Sequence, residues 1–230
     1  MNKIKVVILG DGLLGKELKN QTGWDSVSRA SHQIDFNDVT SCYQYLKEYD
    51  VIVNCIAHTD TYDKDKETHW AINYKAVSRL SDWCTDNNKK LVQISTDYVY
   101  ANSVGAASES TVPVHANNWY SLSKLLGDSY IELKGNDYLI IRCGHKPTPF
   151  PYHEAYEDIV GNFDYVNIIA AGIIDLINKN AIGLYNVGTD IKTMYELALE
   201  TNVQVKNSKA RGWMPKDVRM DCTKFKNKTK

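Results

Sequence analysis

A tyrosine and a lysine stand four residues apart, at Tyr120 and Lys124, within "NNWYSLSKLLGDSYIELK" (117–134). On a helix that spacing puts both side chains on one face, one turn apart. A free phenol ionises near about 10 and is a poor acid at neutral pH. A lysine cation beside it stabilises the phenolate and makes it a usable proton donor. The chain is rich in both residues, however, and the same spacing recurs at Tyr43/Lys47, Tyr62/Lys66 and Tyr130/Lys134. A bare match is a hypothesis, so context must choose.

The context favours Tyr120. "KLVQIS" (90–95) reads as a strand, and Thr96 follows at its carboxyl end, in "ISTDYVY" (94–100). Ligands of open α/β sheets bind at such ends. Thr96 can donate a hydrogen bond to a carbonyl oxygen as negative charge develops there. Tyr43 falls on an early helix and Tyr62 in a loop leading into a helix. Tyr130 lies about 15 Å beyond Tyr120 along the same helix.

A second chemical signal stands near the start. "GDGLLG" gives Gly10, Gly12 and Gly15, a G-x-G-x-x-G turn after the apolar run "IKVVIL" (4–9) and opening a helix. The first glycine permits the tight turn, the second lets backbone approach a pyrophosphate, and the third lets helix and strand pack closely. A carboxylate closing the second strand would favour NADH, and an arginine there the 2′-phosphate of NADPH. The second strand is expected over "DSVSR" (25–29), so Arg29 is the better-placed group, and Asp35 falls six residues too late. The reading is NADPH, with NADH as the alternative.

The elements needed to position these groups can be read along the chain. Strands are expected over 4–9, 25–29, 51–57, 90–95 and 138–142, with helices following the glycine turn and over 39–49, 66–88 and 119–134. This alternation predicts an α/β fold, a Rossmann-like doubly wound parallel sheet. Beyond Arg142 the pattern changes. "HKPTPFPYHEAY" carries three of the five prolines and reads as a loop. A helix over 165–180, a strand over 183–188 and a helix over 193–200 then complete a small substrate lobe. The expected division is a dinucleotide-binding domain over 1–144 and a substrate-binding lobe over 145–230.

Composition narrows the class. The chain has 230 residues, 43% hydrophobic, and a net charge of −1. A packed core is expected, with no field to draw the chain onto nucleic acid or an anionic membrane. The five cysteines are scattered, and neither they nor the six histidines show metal-ligand spacing. Reduced thiols, a cytoplasmic location and no metal are therefore expected.

Together these residues resemble the extended short-chain dehydrogenase/reductases, and among them the dTDP-4-dehydrorhamnose reductase family. The similarity rests on "GDGLLG", "VIVNCIAHTDTYDKDKE" (51–67), "WAINYKAV" (70–77), "QISTDYVY" (93–100), "YSLSKLLGD" (120–128) and "LIIRCG" (139–144). It implies a catalytic triad of Thr96, Tyr120 and Lys124, with Tyr120 the proton donor to a nucleotide-linked 4-keto-deoxysugar. It implies Gly10, Gly12 and Leu13 at the cofactor phosphates, and Asp35 and Phe36 near the adenine. Ala57, His58 and Thr59 would line the cofactor, Lys124 would hold the nicotinamide ribose, and Thr96 and Asp97 would meet the sugar. A homodimer is the implied assembly. The chain departs from the family in three ways: a glycine turn one residue shorter, only 88 residues after Arg142, and His145 where an aromatic is usual. His145 is the candidate polar residue of the sugar pocket. Two other readings remain, a dinucleotide-binding regulatory subunit without turnover and a combined epimerase/reductase.

Overall fold

The computed structural model describes residues 4–113, 118–135 and 137–230. The elements of the sheet and its helices are β1 (Val6–Leu9), α1 (Leu13–Thr22), β2 (Asp25–Val27), α2 (Arg29–His32), α3 (Thr40–Leu46) and β3 (Val51–Asn54). They continue with α4 (Lys66–His69), a π-helical stretch (Trp70–Ala76), α5 (Val77–Asp86), β4 (Lys90–Thr96), α6 (Trp119–Lys134), β5 (Tyr138–Cys143) and β6 (Gly183–Asn186). The strands form one six-stranded sheet in the order β6-β5-β4-β3-β1-β2. The β1/β2, β1/β3 and β3/β4 pairs are parallel.

β1 and β3 read "VVIL" and "VIVN" and are buried throughout. Continuous apolar runs of this kind suit parallel strands covered on both faces. From these strands Val7, Leu9 and Ile52 join Leu46, Val77, Leu80, Ile131 and Ile140 in one core. Each fully buried Leu or Ile contributes roughly 1.5–3 kcal/mol.

The chain divides into two compact units. The first comprises residues 1–95, 117–141 and 181–184, and the second 96–116, 142–180 and 185–230. This is an interleaved division where the sequence suggests a single cut after residue 144. The second unit has its own core around Phe150, Ile159, Phe163, Leu197 and Val218. Its strands are short: 192–193, 160–161 and 217–218 form one small sheet, 206–208 pairs with 154–156, and 145–146 with 164–165. Its helices are α7 (Val166–Asn178), α8 (Met194–Leu199) and α9 (Thr223–Thr229).

Three expectations need correction. The second strand ends at Val27, because the Ser28 side chain accepts the Ser31 N–H and caps α2. Arg29 therefore opens a helix. The segment 145–156 is not all loop, since its two ends are strands. The strand near 183 belongs to the central sheet, at the edge beside β5, and stops at Asn186. Among the described residues no helix is long and apolar enough to cross a membrane.

Candidate active site

The sheet's connectivity indicates where a ligand would sit. From β1 the chain moves to one side, to β2, and then returns past β1 to β3 and onward. The switch point lies between β1 and β3, where open α/β sheets bind ligands at their carboxyl ends. A cleft of about 310 Å³ opens there. It is lined by Gly10, Asp11 and Gly12 after β1, by Cys55, Ile56 and Ala57 after β3, and by Arg29, Asp35, Phe36 and Ile72 among others.

The glycine turn shapes that cleft. Gly10 has φ +98°, a conformation other residues adopt only with strain. Gly12 is the extended N-cap of α1 and has no side-chain cap. A Cβ placed on Gly12 would meet nothing within 4 Å, so its face is open to a ligand. A Cβ on Gly15 would lie 2.2 Å from the Gly10 carbonyl oxygen, so Gly15 sets the closeness of helix and turn. Free N–H groups at the start of a ten-residue helix are suited to phosphate. Leu13 is exposed as the first residue of α1.

Arg29 is exposed on the cleft wall. The Asp35 carboxylate accepts hydrogen bonds from the Asn37 N–H (3.0 Å) and Asn37 Nδ2 (3.1 Å), capping a short 3-10 turn that buries Phe36. Burial pushes the Cys55 thiol up to about 12, with Lys124 opposing, so it is a neutral wall of the cleft.

The loop after β3 is fixed by a residue that sequence reasoning did not single out. Asn73, in the π-helical stretch, accepts the His58 N–H at 2.9 Å and donates to the His58 carbonyl at 3.0 Å. It also donates to Ser123 Oγ of α6 at 3.1 Å. Gly127 permits this approach, since a Cβ there would lie 2.7 Å from the Asn73 carbonyl oxygen. Thus Asn73 joins the segment carrying Ala57, His58 and the exposed Thr59 to the helix that carries Tyr120 and Lys124. His58 pairs with Asp63 at 3.1 Å, and its ring meets buried His69 edge-on at 4.4 Å. The His69 ring in turn lies 6.3 Å from that of Tyr120. Burial lowers the His69 pKa, with the neighbouring His58 adding, so His69 is neutral at physiological pH.

Asn118 caps α6 by accepting the Ser121 N–H, which makes Tyr120 the second residue of the helix. The helix N-terminus favours negative charge there. Lys124 is buried one turn on, with Nζ donating to the Ile94 carbonyl at 2.6 Å. Ser95 Oγ donates to Asp128 of α6 at 2.8 Å, so the end of β4 is tied to this helix twice, at Ile94 and Ser95. Two of the competing tyrosines are engaged in packing instead. Tyr43 stacks on Trp83 and donates to the Arg79 carbonyl, and Tyr130 donates to Asp82.

The second unit holds the remaining candidates. Thr96 Oγ donates to Asp97 Oδ1 at 3.1 Å and accepts the Tyr98 N–H at 3.2 Å. Asp97 is only 3% exposed, and a Cβ on Gly144 would lie 2.4 Å from its Oδ2. Burial raises the Asp97 pKa to about 6, against the Thr96 hydrogen bond and the Lys146 charge. His145 is half-buried on a short strand, and burial pushes it down to about 4, so it is neutral. Behind these residues, Arg142 donates to the Tyr100 hydroxyl at 2.7 Å, which donates to Asn186 at 3.1 Å. Asn186 Nδ2 then donates to the Ala107 and Asp221 carbonyls.

A parallel α/β sheet with a glycine turn and ligand cleft at its switch point defines a Rossmann-like protein. Within that class the chain belongs to the RmlD substrate binding domain family, whose model matches residues 4–145. A dTDP-4-dehydrorhamnose reductase of Mycobacterium tuberculosis is 29% identical over 137 residues, 55% of this chain and 45% of that protein. The spore coat polysaccharide biosynthesis protein SpsK of Bacillus subtilis is 27% identical over 218 residues, 84% of this chain and 77% of that one. The chain spans less than half the length of the mycobacterial reductases it matches. Among solved structures, a hypothetical dTDP-4-dehydrorhamnose reductase from Sulfolobus tokodaii superposes with a TM-score of 0.83 at 25% identity, covering 97% of this chain and 94% of that one. The Bacillus anthracis dTDP-4-dehydrorhamnose reductase, in complex with NADP, has a TM-score of 0.83 at 22% identity, covering 98% and 93%.

Proposed function

We propose that the chain is an NADPH-dependent reductase acting on the 4-keto group of a nucleotide-linked deoxysugar, of the dTDP-4-dehydrorhamnose reductase kind. The observation that carries this reading is the glycine-lined cleft at the switch point, with Tyr120 and Lys124 on a capped helix tied to β4 just before Thr96. The open face of Gly12 and the uncapped start of α1 fit a pyrophosphate, and Arg29 fits a 2′-phosphate. The nicotinamide, when bound, supplies the hydride. Tyr120 delivers a proton to the carbonyl oxygen as it becomes an alkoxide, and the Lys124 ammonium favours the phenolate that remains. Thr96 donates a hydrogen bond to the same oxygen. The unit built from residues 96–116, 142–180 and 185–230 is the proposed sugar-binding part.

The test is fluorescence titration with NADPH and NADH, followed by absorbance loss across a panel of nucleotide 4-keto-sugars. One sugar oxidising bound NADPH is the expected result. Tyr120→Phe is expected to lower kcat by roughly 10²–10⁴ while leaving NADPH binding intact. Normal turnover in that variant refutes the proton-donor role. Binding without oxidation across the panel supports the regulatory-subunit reading instead.

A further inference from the structure

The contacts of Thr96 conflict with its role as a donor to substrate. A hydroxyl has one proton and two lone pairs. The Thr96 proton goes to Asp97 Oδ1, and one lone pair accepts the Tyr98 N–H. What remains is a lone pair, which repels a developing oxyanion. Thr96 can stabilise that oxyanion only if its own hydroxyl proton no longer points at Asp97.

We propose that Asp97 is a positioning residue that sets the direction of its hydrogen bond with Thr96, and so decides whether the threonine hydroxyl is free to donate to the reacting oxygen. This rests on the reductase reading above. With a carboxylate at Asp97, Thr96 donates to it and is spent. With a neutral carboxyl, Asp97 donates its own proton to the Thr96 oxygen, and the threonine proton turns outward. No bond other than these hydrogen bonds changes, and the proton that Asp97 gains comes from solvent.

The surroundings of Asp97 suit a device of this kind better than a sugar ligand. Oδ1 is taken by Thr96, and Oδ2 lies where a Cβ on Gly144 would come within 2.4 Å of it. The side chain is almost wholly buried. The groups that bear on its charge are few. Lys146, on the strand after β5, favours the ionised form, as do the backbone N–H groups of Asp97 and Tyr98. From the segment before α9, the Cys222 thiol is pushed up to about 12 and stays neutral. Neighbouring His145 is neutral as well. Burial outweighs these and brings the carboxyl to about 6, so both states are accessible near physiological pH. The sign follows directly. Below that value Asp97 is protonated and Thr96 is free, and above it Thr96 is captured.

The test uses the whole chain labelled with carbon-13 at aspartate carboxyls. Wild type is expected to show one titration near 6, absent from Asp97→Asn. Thr96→Val removes a hydrogen bond that favours the carboxylate, and is expected to move that titration upward. In turnover, kcat is expected to fall about tenfold per pH unit above the same point, and Asp97→Asn to remove that step from the profile. A titration unmoved by Thr96→Val overturns the proposal. So does an Asp97→Asn variant that keeps the step, or one that raises the sugar KM tenfold with the kcat profile unchanged, the signature of a direct sugar ligand. The expected NMR behaviour in a chain that reduces no keto-sugar supports the hydrogen-bond switch and sinks the reductase reading alone.

Discussion

Replacing Asn73 by alanine is a demanding test of how the site is held. The Asn73 amide makes three hydrogen bonds at 2.9–3.1 Å, two to the His58 backbone and one to Ser123 Oγ, and the residue is 1% exposed. Each such bond contributes about 1 ± 0.5 kcal/mol net, so their loss costs about 3 kcal/mol, and the small cavity adds to it. Asn73→Asp is expected to do no better. It keeps an acceptor for the His58 N–H but sets a buried carboxylate against the His58 carbonyl. With two compact units, global unfolding need not be two-state, so urea denaturation should be paired with amide exchange at His58. The expected result is a loss of about 3 kcal/mol in the unit holding the central sheet, with His58 exchanging faster. NADPH binding should weaken with it, because Ala57 lines the cleft and His58 follows. A loss under about 1 kcal/mol with unchanged His58 exchange refutes the reasoning, since those bonds would then contribute less than a typical one.

Three further outcomes follow from the same geometry. Gly15→Ala gains about 1 kcal/mol in helix propensity but sets a Cβ 2.2 Å from a backbone oxygen. Overpacking costs about 1–3 kcal/mol or more, so the variant should be net destabilised and bind NADPH poorly, as thermal melts and titration would show. Arg29→Ala should cut NADPH affinity roughly 10–100-fold and leave NADH affinity unchanged, the size of a lost charge-assisted hydrogen bond, read by parallel titrations. Tyr100→Phe removes the hydroxyl between Arg142 and Asn186 and should destabilise the second unit by about 1.5–3 kcal/mol in urea.

Helix α6 spans the residues expected for it, 119–134, because its amphipathic pattern and the Asn118 cap are both local signals. The buried strands β1, β3 and β4 were legible for the same reason, as apolar runs bounded by breakers. What failed depended on distant partners. "GLYN" reads as a strand anywhere, but its place beside β5 is set by packing forty positions away (183 − 143). The strand end was set two residues late because the Ser28–Ser31 cap lacks the usual acidic or amide partner, so nothing in the sequence marks the helix that opens at Arg29. At the site, the glycine turn and the proposed Tyr120/Lys124 pair are signalled by spacing. Asn73 is not, since its partners lie 15 and 50 residues away. The capture of Thr96 by Asp97 involves adjacent residues, yet it depends on burial that no local pattern reveals.

The interleaved sheet also bears on how the chain is made. β5 ends at Cys143 and its outer neighbour β6 begins at Gly183, 40 positions further on (183 − 143). At a synthesis rate of about 5–20 residues per second, β5 waits roughly 2–8 s for its partner. Throughout that interval a strand reading "YLIIRC" presents an unpaired edge. Such an edge is a template for other chains, so the nascent protein needs shielding at this stage.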